Sequence, residues 1–315
     1  MNEMLSIAKK VNSKCMGLKQ GEEFLVITDS NKINIAHYFI EASRDMGISS
    51  TLVEINPQTG GELPPLAESA LRKADCCIIL TTSSFSHTRS RATATKLGCR
   101  IASIPGVTEE IVRSTFGADY DEIEKISVKL ADMFTQSEKV RITTNLGTDI
   151  IFNIKSRKGT ADTGKLTTTG AFGNLPAGEA MVAPVENFGT GRVVVDGVIA
   201  HVGILDKPII LELINGQIVS IEGDEGKLSN FLNRFDKNVD KIAEIGIGTN
   251  RLATICSNPL VDEKVYSTIH LGFGNNLFMG GNQDCNMHFD MIITKPTMYL
   301  DDTCIISDGK HIYTV

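Results

Sequence analysis

Residues Glu23 to Thr28 read EFLVIT, a short apolar run rich in β-branched and aromatic side chains, and what surrounds it decides the fold. The run is too short for a helix and has the unbroken hydrophobicity of a strand buried on both faces. Asp29-Ser30-Asn31 interrupts it, and Asn31 to Met46 then places Ile33, Ala36, Phe39, Ile40 and Ser43 on one helical face before Gly47 stops it. The same alternation continues outward. Ser50 to Ile55, Cys76 to Thr81 (CCIILT) and Arg100 to Ile104 read as further strands. Between them Leu63 to Ala74 reads as a helix with prolines in its first turn, where the missing amide hydrogen is not needed, and Thr88 to Leu97 as another. A helix from Asn2 precedes EFLVIT, and Glu109 to Phe116 and Tyr120 to Phe134 read as helices after it. Strands alternating with helices build βαβ units, so the spacing predicts a doubly wound α/β domain on a mostly parallel sheet. No G-x-G-x-x-G follows EFLVIT, so no dinucleotide site is indicated.

The texture changes near Ser137. Val140 to Thr144, Ile150 to Ile154, Arg192 to Val198, Ile209 to Ile214 and Gln217 to Ile221 are short β runs, and Asn215-Gly216 and Asp196-Gly197 are hairpin signals. One helix, about Glu225 to Asn238, intervenes, and Gly272 to Gly281 is rich in glycine. The expectation is an α/β domain over residues 1–137 and an α+β, antiparallel-strand-rich, metal-binding domain over residues 138–315.

A chain of 315 residues, 42% hydrophobic and 22% charged, can bury a sizeable core. Its net charge of −7 argues against a nucleic-acid partner, which needs a basic face, and suits either simple solubility or a site for divalent cations. The seven cysteines are odd in number and none forms C-x-x-C, so neither a disulfide framework nor a zinc knuckle is indicated, and reduced thiols suit the cytoplasm. Met1 to Lys14 lacks the apolar core of a signal peptide, and no apolar stretch approaches the ~18 residues of a membrane span. A soluble, cytoplasmic protein is expected.

His288-Phe289-Asp290 is the sharpest local feature. On a strand, residues i and i+2 share a face, so the imidazole and the carboxylate project together, as a metal site or as a structural hydrogen-bonded pair. His270 begins HLGFG, where glycines leave the side chain accessible, and a hairpin could bring it to His288; two histidines and a carboxylate suffice for a mononuclear metal site. Glu179 closes the turn sequence NLPAG, and Glu244 sits in the apolar run AEIGIG, where a buried charge must be paired or metal-bound. In the first half, Ser83 to Arg91 follows the third strand. His87 and Arg89 there could bind an anionic substrate group or complete an active site across a domain or subunit boundary; the alternative is a helix N-cap by Ser86 or Thr88 with solvated arginines. Arg157 and Asp162, in a polar stretch between β segments, read as a loop ion pair, with a substrate role the less favoured alternative, and His37, His201 and His311 lack supporting context.

The series NLPAGEA, AEIGIG, HLGFG and HFD, in that order, resembles the thermophilic-type leucyl aminopeptidases, which are dinuclear metallo-exopeptidases. It is also similar to a shorter, related branch that includes mononuclear-iron 2,5-dihydroxypyridine dioxygenases. The peptidase resemblance implies metal ligands at Glu179, Glu244, His270, His288 and Asp290. It also implies a tyrosine seven residues after the first histidine, a position held here by Leu277. The dioxygenase resemblance implies iron at His270, His288 and Asp290.

The leading expectation is therefore an aminopeptidase-like hydrolase in which Zn, Mn or Co activates water and Glu179 or Glu244 relays the proton. The alternative is an Fe(II) ring-cleaving dioxygenase. The substrate would be a small molecule or short peptide, and the resemblance implies a homodimer.

Overall fold

A computed structural model describes residues 2–58, 61–235 and 237–313, and the chain divides into two compact units. One comprises Met1–Tyr120 with Gly164–Ala177, the other Asp121–Thr163 with Gly178–Val315. The elements begin with α1 (Glu3–Lys10), β1 (Glu23–Asp29), α2 (Ile33–Asp45), β2 (Ser49–Ile55), α3 (Pro65–Leu71) and β3 (Cys76–Leu80). They continue with α4 (Arg89–Lys96), β4 (Arg100–Ser103), α5 (Glu109–Thr115), α6 (Tyr120–Gln136), β5 (Lys139–Thr143), β6 (Asp149–Asn153), β7 (Thr160–Asp162) and β8 (Phe172–Asn174). Then come β9 (Glu179–Val182), β10 (Thr190–Val195), β11 (Val198–Ile199), β12 (Gly203–Ile204), β13 (Ile209–Ile214), β14 (Gln217–Glu222) and α7 (Lys227–Leu232). The chain finishes with β15 (Ile242–Gly248), α8 (Pro259–Asp262), β16 (Ile269–Gly274), β17 (His288–Ile293), β18 (Thr297–Leu300), β19 (Thr303–Ser307) and β20 (Lys310–His311). Among the described residues no helix is long and apolar enough to cross a membrane.

The first unit is the expected doubly wound α/β arrangement, with a parallel sheet in the order β2-β1-β3-β4-β8. EFLVIT is the heart of it: β1 pairs with β2 on one side and β3 on the other, and Phe24 to Asp29 are all buried. A strand covered on both faces needs this continuous apolar character.

The second unit packs an eight-stranded sheet, β14-β13-β10-β6-β5-β18-β19-β20, against a seven-stranded one, β12-β11-β17-β16-β15-β9-β7. A single apolar cluster joins them: Val140, Ile142 and Leu211 come from the first, and Ile245, Leu271 and Phe289 from the second.

The structure departs from the sequence reading in three places. The units do not part at a single cut near residue 137. Helix α6 buries Ile126, Leu130 and Phe134 in the core of the second unit, while residues 164–177 return to the first and supply β8. Asn215-Gly216 does turn the β13–β14 hairpin, with φ of 51° and 75°. Asp196-Gly197, in contrast, is a corner: β10 lies in one sheet and β11 in the other, and the Asp196 carboxylate accepts from Thr294 N and Oγ1 instead of closing a hairpin. The helix expected over Glu225 to Asn238 is limited to Lys227–Leu232, where Asp224 accepts from Leu228 N and Ser229 N at its start; residue 236 lies outside the described residues.

Candidate metal centre

Strands β9, β15, β16 and β17 are neighbours in the seven-stranded sheet, and period-two alternation sorts their residues onto two faces. Ala180, Val182, Ile245, Ile247, Leu271 and Phe289 point into the apolar core. The alternate residues, Glu179, Glu244, His270, His288 and Asp290, therefore share the opposite face. All five sequence-predicted ligand residues are brought together.

Antiparallel register explains how five bulky polar side chains fit there. Glu179 pairs across strands with Gly248, Glu244 with Gly272, His270 with Gly246, His288 with Gly274, and Asp290 with Gly272. Each of the five faces a glycine. A Cβ on Gly246 would lie 1.9 Å from His270 Nε2, and one on Gly272 would lie 2.9 Å from His288 Nε2. The glycines of AEIGIG and HLGFG thus clear cross-strand space for imidazoles and carboxylates. This corrects the expectation that they leave His270 accessible, because His270 is fully buried. His288, 22% exposed at its side chain, is the more open of the two histidines.

Glu244 lies between the imidazoles: Oε1 is 3.2 Å from His270 Nε2, and Oε2 is 3.2 Å from His288 Nε2. Asp290 Oδ1 is 3.4 Å from His288 Nε2, and Glu179 Oε2 is 3.2 Å from His270 Nε2. The donors form two overlapping triads, Glu179–Glu244–His270 and Glu244–His288–Asp290, each with its ligand atoms within 4.8 Å of one another. His288 Nδ1 donates to the Asn275 carbonyl at 2.7 Å, which leaves Nε2 facing Glu244 and Asp290. His270 Nδ1, by contrast, is buried without a hydrogen bond.

The electrostatics favour a cation. Burial by itself lowers the pKa of His270 and His288, yet the surrounding carboxylates hold both well above the usual imidazole range. Burial likewise pushes Glu244 and Asp290 up, and is outweighed by the imidazoles, which hold both below the usual carboxylate range. Glu179 Oε2 and Asp290 Oδ1 are buried and satisfy no hydrogen bond. Oxygen atoms left in this way beside imidazole nitrogens are what a divalent ion with mixed N/O preference requires, so the residues fit a metal.

Three residues that the sequence reading did not assign to the site complete the cluster. Lys264, 2% exposed, places Nζ 2.5 Å from Glu179 Oε1, 2.6 Å from Glu263 Oε1 and 3.2 Å from Asp162 Oδ2. Burial alone would strip its proton, but Glu179, Glu263 and Asp162 raise its pKa well above the usual value, so it stays an ammonium. Burial pushes the Glu263 carboxyl well up, against the pull of the Lys264 ammonium beside it. The segment reaches the site because position 248 is glycine: a Cβ there would lie 2.0 Å from the Val265 carbonyl oxygen. In the sequence, Asp262-Glu263-Lys264 looks like a solvated loop, and only its position shortly before His270 hinted otherwise. Asp162 pairs with Lys264, while Arg157 bonds Glu186 and the Gly280 carbonyl, so the expected Arg157–Asp162 ion pair is replaced by two others.

Leu277, at the position of the peptidase tyrosine, is half exposed at the start of a short 3-10 turn. Next to it, the exposed Phe278 sets its ring edge-on to His288, centroids 5.2 Å apart. His87 and Arg89 belong to the first unit, beyond the carboxyl end of β3, and both are exposed. Thr88 caps α4 by accepting from Arg91 N, and the Arg89 side chain, 93% exposed, has Glu62 as its ion-pair partner at 3.6 Å.

The fold and these donors can be set beside known proteins. Among solved structures, the chain is similar to the 2,5-dihydroxypyridine dioxygenase of Pseudomonas putida KT2440, with a TM-score of 0.82 at 18% identity over 99% of this chain and 97% of that one. It is also similar to wild-type AmpT from Thermus thermophilus, with a TM-score of 0.72 at 15% identity over 99% of each chain. At such identities the likeness shows the fold, and both branches that the sequence resembles are represented. No protein of curated function matches the sequence. The model of the 2,5-dihydroxypyridine 5,6-dioxygenase family (NicX), however, matches residues 3–313, and by that near-complete match the chain belongs to this enzyme family, which implies Fe(II).

Proposed function

We propose that the protein is a mononuclear Fe(II) dioxygenase that opens the ring of a small hydroxylated N-heteroaromatic of the 2,5-dihydroxypyridine type. The observation that carries this reading is the donor set His270, His288 and Asp290 on one face of adjacent strands, in a chain of the dioxygenase family. Two imidazoles and one carboxylate are the ligands of non-haem Fe(II) oxygenases, in which the remaining positions stay open. Fe(II) held there would supply the redox chemistry by which dioxygen is used on the ring.

The chain's own residues do the rest. The Asn275 carbonyl holds the His288 ring in one tautomer, and Glu244 lies against the Nε2 edge of both imidazoles, where its carboxylate would flank the ion. Glu244, buried and kept ionised by those imidazoles, is placed to accept the proton that a substrate hydroxyl loses on binding. Phe278 gives the His288 side an apolar ring suited to a flat aromatic substrate. The homodimer expected from the resemblance belongs to the same reading, and light scattering on the purified protein tests it.

The test is oxygen uptake. Protein purified anaerobically and loaded with Fe(II) should consume oxygen with 2,5-dihydroxypyridine and bleach the substrate's ring absorbance. One observation favours the aminopeptidase-like hydrolase: the Glu179–Glu244–His270 triad could take a second ion. Hydrolysis of amino-acid arylamides by the Zn- or Mn-loaded protein, with no oxygen uptake by the Fe(II) form, would overturn the dioxygenase reading.

A further inference from the structure

We infer that Lys264 is a built-in cation that takes the place of a second metal ion, so that this centre holds one divalent ion per chain. The inference rests on the metal centre proposed above and goes on to say what limits it to one ion. The five ligands by themselves have the form of a dinuclear site, two triads sharing Glu244. The single ion proposed above, on His270, His288 and Asp290, lies towards His288, the more exposed of the two histidines. One triad depends on Glu179, and there the structure differs from a free metal ligand.

Glu179 is 4% exposed and already holds a positive charge, the Lys264 ammonium at 2.5 Å from Oε1. The same ammonium holds Glu263 and Asp162, so three carboxylates that could otherwise supply a second ion with charge and lone pairs converge on one lysine. Lys264 is almost without solvent, so little water screens it. A second divalent ion held through Glu179 would meet that fixed charge across a single carboxylate group. Lysine is suited to this role because its ammonium is a compact point charge that can serve three acceptors at once. Its place is fixed by the backbone: the Lys264 carbonyl accepts from Asn250 N at 2.9 Å, and Gly248 allows the segment to lie against β15.

The experiment is a count of metal per chain. Wild-type protein and Lys264 variants are titrated with MnCl2 or ZnCl2, freed of loose metal by buffer exchange, and measured by elemental analysis and calorimetry. Wild type and Lys264→Arg, which keeps the charge, should saturate near one ion. Lys264→Met, which keeps the bulk and removes the charge, and Lys264→Ala should each take up a second ion, and adding Glu179→Gln to Lys264→Met should remove it again. A folded Lys264→Met that still saturates at one ion would overturn the inference. Should the lysine variants not fold, Glu179→Gln in the wild-type background decides: an unchanged count of one supports Lys264 as the partner of Glu179, and loss of the ion overturns it. Two tight ions in wild type would overturn this inference while leaving a metal centre in place. A wild type that takes up no metal would overturn the proposed centre itself, and this inference with it.

Discussion

The two faces of the seven-stranded sheet are made by the same strands and obey opposite rules. On one face Ile245, Leu271, Phe273 and Phe289 fill a closed apolar core. On the other, one residue along in each strand, Glu244, His270, His288 and Asp290 form a cluster whose polar atoms are only partly satisfied. The first face stabilises the fold by removing apolar surface from water. The second works against it, because buried charges and orphaned lone pairs are expensive until a cation is seated among them. Alternation along a β-strand allows stability and function to share strands without sharing residues.

That contrast can be broken one face at a time. Asp290→Ala should abolish metal retention and bring oxygen uptake below detection while the thermal unfolding midpoint of the metal-free protein barely falls; elemental analysis and calorimetric melts check both. Phe289→Ala, on the adjacent position but the other face, should destabilise by about 3–5 kcal/mol, read from urea unfolding, with metal binding kept as long as the protein is folded. Gly246→Ala tests the spacing between the faces. Its methyl would collide with His270 Nε2, so the variant should fold with a loss of about 1–3 kcal/mol and bind metal more weakly.

The smallest effect is expected away from both faces. His311 stacks on Tyr266 at 4.5 Å, beside Arg251 and Tyr313, and burial together with the Arg251 charge lowers its pKa to about 4. The unfolded chain, with an ordinary imidazole near 6.5, binds the proton first on acidification. Stability from this residue is therefore present above pH 6.5 and is lost as the pH falls towards 4, by on the order of 2 kcal/mol. His311→Phe should flatten that part of the acid-unfolding curve.

Much of this was legible beforehand. Helix and strand periods in the first 115 residues gave the parallel sheet, because there each element follows its own local pattern. The five candidate ligands were legible because charged residues in glycine-flanked apolar strands have few other uses. What escaped was whatever depended on a distant partner. Helix α6 carries an amphipathic pattern that suits either unit, and only the position of its apolar partners assigns it. Asp196-Gly197 has hairpin chemistry, but the sheets that its flanking strands join made it a corner.

The sequence by itself determined that this chain alternates strands and helices, then turns to antiparallel β structure, and that Glu179, Glu244, His270, His288 and Asp290 are candidate ligands. Local period and residue chemistry carry that information. Only the tertiary structure decided that each candidate ligand faces a glycine across the sheet, and that Lys264 sits on Glu179. Register and charge pairing join residues far apart in the chain, and a linear pattern does not record distances between them.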